Sequence, residues 1–242
     1  MLRSTEGIVL RTNTFGEADL IVTYLTSDHG IVKAFAKSPR KIKSRFGSSL
    51  EPLTCSKISF WGKEDAALPR LTQSDIIYSF DTIRSSLHCY LRASEVVELI
   101  LHLLPERDVS RNAYVLLMTM LRSLEKECGN QLLILYYKIK LLKLAGYLPK
   151  LDGCGRCGGA GVSFYLSHGT VLCDRCSGGN GAAFLLSCGA ISLFTNLLEW
   201  TSSKIGRIRP SERQLSELSR LIDEHVRQVT ERDLRTKAFR VR

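Results

Sequence analysis

The sequence contains no apolar run long enough to cross a bilayer. Its most apolar stretch, residues 182–194, is broken by Ser187, Cys188 and Gly189 and falls short of the roughly 20 residues a spanning helix needs. The opening MLRSTEGIVLR lacks the apolar core of a secretory signal. Together these absences predict a cytoplasmic protein. No internal repeat or low-complexity linker is present. Enzymatic signatures are missing too: there is no G-x-x-x-x-G-K-[ST], no H-E-x-x-H and no H-x-E beside a Cys-x-x-Cys. P-loop hydrolysis, zincin proteolysis and zinc-dependent deamination therefore lack their motifs. GCGRCG at 153–158 formally matches G-x-G-x-x-G, but it embeds two candidate metal ligands and follows no strong strand. The histidines, His29, His88, His102, His168 and His225, are scattered. Nothing in the sequence points to an enzyme.

What is present is the composition of a folded protein. Of 242 residues, 44% are hydrophobic and 24% charged, enough for one or two domains with a real core. Lys and Arg number 34 against 24 Asp and Glu, for a net charge of +10. The excess concentrates in Lys33, Lys37, Arg40, Lys41, Lys43 and Arg45, with no acid between them, and again in the last forty or so residues. Such a cluster repels itself unless a polyanion is near, and nucleic acid or an anionic membrane is the usual one.

Up to residue 80 the apolar residues fall in short runs separated by turn residues, which predicts about five strands and a small β-barrel. In the third run, Val32, Ala34 and Ala36 alternate with Lys33, Phe35 and Lys37. A strand there turns its small residues inward and presents Lys33, Phe35 and Lys37 on one outer face. Cations for phosphate beside a ring for a base are what a single-strand binding surface needs, and Phe46 extends the same segment. From Asp81 the period changes to about 3.6. Apolar stripes predict helices ending near Pro105, following Ser110, running from Asn130 to Gly146, starting at Ser187, and starting at Ser211, where Gln214 completes a capping box. The expected organisation is α+β: a β-barrel over 1–80, then a helical domain over 81–242 with an insert at about 150–182.

That insert carries Cys154 and Cys157, then fifteen residues, then Cys173 and Cys176. Two Cys-x-x-Cys knuckles can each wrap half of a four-thiolate zinc site, and four sulfurs with no open position make that site structural. Free thiols and a redox pair are the competing readings. Residues 162–166 and 170–172 read as a hairpin between the knuckles, while Cys55, Cys89, Cys128 and Cys188 read as core thiols.

The opening EGIVLRTNTFGEADLIVTYLTSDHGIVKAFAK, the basic SPRKIKSRFGSSLEPLT, the cysteine pairs beyond a helical stretch and the closing DLRTKAF together resemble the bacterial RecO family of recombination mediators. The resemblance spans nearly the whole chain. It implies an N-terminal OB-fold, a helical C-terminal domain with a zinc insert, and no catalytic turnover. It further implies a role in DNA repair by the RecF pathway. That role comprises binding single- and double-stranded DNA, annealing complementary strands, pairing with RecR, contacting the acidic tail of single-strand binding protein, and helping to load RecA. Lys33 to Arg45 fall where the family's DNA surface lies, and the four cysteines on its zinc ligands. For the acidic tail, Lys138, Lys140 and Lys143 beside Tyr136 and Tyr137 are a candidate basic rim. The main rival reading is a zinc-ribbon regulator of specific duplex sequences.

Overall fold

Alternation along the first eighty residues builds a closed five-stranded barrel in the computed structural model, which describes residues 1–39, 46–63, 66–161, 163–178 and 183–239. The strands are β1 (Leu2–Phe15), β2 (Asp19–Thr26), β3 (Ile31–Ala36), β4 (Cys55–Trp61) and β5 (Arg70–Tyr78), in the order β1-β2-β3-β5-β4. All pairs are antiparallel except β3 with β5, which meet in parallel at Phe35 and Arg70. This is the small barrel the strand pattern predicts, with the OB-fold that the resemblance implies. Val9, Val22, Tyr24, Ala34, Ile58, Phe60 and Leu71 fill the interior. The small Ala34 and Ala36 leave room for the Tyr24 and Phe60 rings, as the alternation in β3 predicts.

A short 3-10 turn, Gly47–Leu50, precedes β4 and contributes Leu50 to the core. Phe46, expected on the DNA face, is 4% exposed in that same core. Its neighbours fix it there: the Phe46 carbonyl accepts both Ser49 N and Ser49 Oγ, at 3.0 and 2.6 Å.

Beyond the barrel the chain turns helical. The first expected helix is split into α1 (Asp81–Arg84) and α2 (Leu87–Leu103), because Ser86 caps the second piece, accepting from Cys89 N. Leu87 is exposed at that N-terminus. The segment after α2 returns to the barrel. Ile31 and Glu106 form a parallel bridge, and Arg107 N donates to the Ile31 carbonyl at 3.1 Å. Gly30 allows this approach, since a Cβ there would lie 2.2 Å from the Asp108 carbonyl oxygen. Ser110 then caps α3 (Arg111–Glu127), accepting from Ala113 N.

Helix α4 (Gln131–Leu144) opens on Asn130, which accepts from Leu132 N, and is buried nearly all round. An apolar helix of this kind is central rather than amphipathic. The insert follows, with β6 (Ser163–Tyr165), β7 (Thr170–Leu172), a four-residue α5 (Asp174–Ser177) and β8 (Ala183–Leu185). The expected hairpin is therefore one part of a three-stranded sheet of order β7-β6-β8. Ser187 caps α6 (Cys188–Glu199), and a short α7 (Ser202–Ile205) leads to α8 (Glu212–Thr230). Ser211 and Gln214 make the predicted capping box at the start of α8. Leu218, Leu221, Ile222 and Val226 form its buried face.

The chain divides into two compact units, Met1–Lys126 and Glu127–Arg242. Compactness thus groups α1 to α3 with the barrel, whereas the hydrophobic period changes at residue 81. No helix among the described residues is long and apolar enough to cross a membrane.

Candidate nucleic-acid interface and metal centre

Lys33, Phe35 and Lys37 emerge on the outer face at β3 as the alternation requires, with Val32, Ala34 and Ala36 buried between or beside them. Lys33 is ion-paired to Glu106, so part of its charge is answered from within the chain. Lys37 is exposed. The Phe35 ring meets Phe15, at the tip of the β1–β2 hairpin, edge to face at 5.9 Å. Phe15 is 52% exposed and was not among the residues expected from sequence. The signal for it lies in strand pairing, not in spacing.

The chain leaves β3 through a fixed turn. Ser38 adopts φ +54, and its N–H donates to Asp19 Oδ1 at 2.6 Å. This anchors the start of the basic run to β2, next to the Phe15–Phe35 pair. Arg40, Lys41, Lys43 and Arg45 lie outside the described residues.

The expected lysine rim is not assembled. Lys138 is buried and donates to Asp223 Oδ1 at 2.8 Å. Lys140 donates to the Leu198 carbonyl and lies over the Tyr136 ring at 5.2 Å, and its partial burial beside Lys143 lowers its pKa. Lys143 alone of the three is exposed. Helix periodicity placed these lysines near one another without revealing that α4 is buried on nearly every side.

The cysteine spacing does assemble. The sulfurs of Cys154, Cys157, Cys173 and Cys176 all lie within 4.8 Å of one another, with Cys157 Sγ and Cys173 Sγ at 3.6 Å. A tetrahedral thiolate site with bonds of about 2.3 Å has sulfur separations of about 3.8 Å, so a zinc-sized ion fits. Each knuckle is locally closed: Cys154 N donates to the Gly159 carbonyl and Cys176 N to the Cys173 carbonyl. At Gly155 a Cβ would meet the Thr170 side chain at 2.5 Å, so the first knuckle packs directly on β7.

The donor set carries its own electrostatic logic. Backbone N–H groups, that of Cys173 foremost and then that of Cys157, pull the Cys154 thiol down to about 6. Cys173 is also lowered, chiefly by the Cys176 N–H. Cys176, hydrogen-bonded to Cys173 first and then to the other two sulfurs, is pushed up to about 12. The cluster thus favours some thiolates and resists the last, a resistance that a bound dication removes. The competing free-thiol reading fits poorly with four sulfurs converging on one point.

The other cysteines separate by environment. Cys55 is buried beside the Tyr114 hydroxyl, whereas Cys188 is exposed at the first position of α6, not in the core. Cys89 and Cys128 are half-buried and are not among the free thiols.

Two family models together match nearly the whole chain. "Recombination protein O N terminal" matches residues 1–80 and "Recombination protein O C terminal" matches residues 84–238. Among curated proteins, the DNA repair protein RecO of Thermodesulfovibrio yellowstonii is 41% identical, with 92% of this chain and 91% of the relative covered. That of Symbiobacterium thermophilum is 31% identical over 98% and 96% of the two chains. That of Dehalococcoides mccartyi is 32% identical over 95% and 91%. On barrel, helices, cysteine cluster and full-length similarity alike, the chain belongs to the RecO family of DNA repair proteins.

Proposed function

We propose that this protein is a non-catalytic recombination mediator. It binds single- and double-stranded DNA, anneals complementary strands, and with RecR helps load RecA onto DNA coated by single-strand binding protein. The observation that supports this most directly is the outer face of the OB barrel, where Lys33 and Lys37 flank Phe35 and its ring partner Phe15 at the root of the basic run. Cations that meet phosphates and rings that meet bases bind single strands with little sequence preference, as annealing of arbitrary complements requires.

In this reading residues 1–80 are the DNA-binding domain, with Arg40, Lys41, Lys43 and Arg45 continuing its surface. Residues 81–242 are the helical domain. Cys154, Cys157, Cys173 and Cys176 hold one zinc ion, which cross-links the knuckles and orders the insert at about 150–182 without taking part in chemistry. The acidic tail of single-strand binding protein is taken up by the helical domain, where Lys143 is the exposed member of the lysine trio. The protein works in the cytoplasm, at the nucleoid.

The test is strand annealing on DNA coated with the cognate single-strand binding protein, with and without RecR. Annealing of coated complements is expected. A protein that binds naked strands yet never anneals coated ones is a general DNA binder, and the mediator reading then falls.

A further inference from the structure

The register of the barrel aligns a continuous row of side chains across its outside. Ile21 pairs with Phe35, Phe35 with Arg70, Arg70 with Trp61, and Trp61 with Leu2. Their strand neighbours Leu71 and Phe60 are buried, so the row itself faces outward. Trp61 is 60% exposed. Arg70 and Lys37 are exposed and have no carboxylate partner among the described residues. Neighbouring strands are about 4.8 Å apart, so Trp61 stands two strand steps, about 10 Å, from Phe35, with Arg70 between them.

A lone exposed aromatic residue needs no explanation. Here two exposed rings, Phe15 and Trp61, share one face with the half-buried Phe35, and Arg70 lies between Phe35 and Trp61. Asp19, which pairs with Phe15 across the β1–β2 hairpin, accepts from the Ser38 N–H. An apolar protein partner would not call for cations between the rings, whereas a polynucleotide presents base and phosphate in alternation.

We propose that this row is a track for single-stranded nucleic acid, running from the Phe15–Phe35 pair over Arg70 to Trp61. Bases stack on the Phe15–Phe35 pair and on Trp61, while Arg70 meets the phosphates between them and Lys37 those beside the pair. The proposal rests on the DNA-binding reading above and extends that surface from β3 onto β5 and β4, away from the basic run.

Trp61 makes the proposal measurable, because the only other tryptophan is Trp200. Oligothymidylate titrated into a Trp200→Phe variant is expected to quench the remaining fluorescence, and the quench is expected to vanish in Trp61→Phe, which retains a ring. Trp61→Ala and Phe15→Ala, both at exposed positions, should each weaken binding by about 5- to 150-fold at an unchanged salt slope. Arg70→Gln should instead flatten the slope by about 0.7. Salt-dependent binding with a silent Trp61 and unaltered affinity in Trp61→Ala and Phe15→Ala overturns the track and leaves the DNA-binding reading standing. Absence of any binding overturns both.

Discussion

Lys138 Nζ lies 2.8 Å from Asp223 Oδ1 across a separation of 85 residues, joining α4 to α8 where the lysine side chain is only 4% exposed. Removing the carboxylate takes an ion-pair partner from a buried ammonium. Asp223→Asn is therefore expected to destabilise the protein by about 3–5 kcal/mol, whereas Lys138→Met with Asp223→Leu should cost far less, because neither charge remains buried. Urea unfolding of the two variants checks this. Equal losses in single and double variants would contradict it.

Glu217 Oε2 accepts both the N–H and the hydroxyl of Ser187, and Oε1 accepts Arg213 Nε. The Ser187 hydroxyl above all, then Arg213, holds this carboxyl down to about 2. A depressed carboxylate stabilises the fold above its unfolded value of 4.5, and that contribution disappears as pH falls through about 2. Thermal melts of the protein and Glu217→Gln should differ at neutral pH and converge in strong acid. A gap that persists at pH 2 would place the effect elsewhere.

Phe46 belongs to the barrel core, so Phe46→Ala is expected to cost about 3–5 kcal/mol through the cavity it leaves. DNA affinity measured well below its melting temperature should be nearly unchanged. A direct loss of affinity in the fully folded variant would return Phe46 to the DNA surface.

If four to six cations of the basic run meet phosphates, affinity for single strands should fall by roughly three to four decades per tenfold rise in salt. Replacing Lys37, Arg40, Lys41 and Lys43 with Ala should flatten that slope while the far-ultraviolet circular dichroism stays intact. An unchanged slope would move the DNA site off this segment.

Metal analysis of protein purified without chelator should find about one zinc per chain. Cys157→Ser or Cys173→Ser should lose it and raise protease sensitivity within the insert, with the barrel still protected. Metal-free protein with an equally protected insert would refute the zinc proposal.

The features legible in the sequence are those carried by near neighbours along the chain. Alternation in residues 31–36 oriented Lys33 and Phe35. Capping by Asn130, Ser187 and Ser211 with Gln214 set helix starts, since a cap needs only the next turn. The spacing of Cys154, Cys157, Cys173 and Cys176 announced a metal-sized cluster, because each knuckle is a local turn. Periodicity reports which face of an element is apolar but not what covers it, and there the tertiary structure decided. Barrel closure buried Phe46. Packing of α4 took Lys138 out of solvent and gave it Asp223. Strand register set Phe35, Arg70 and Trp61 side by side, though they come from three strands separated by loops. Those juxtapositions arise from chain closure over long separations, which no local pattern encodes.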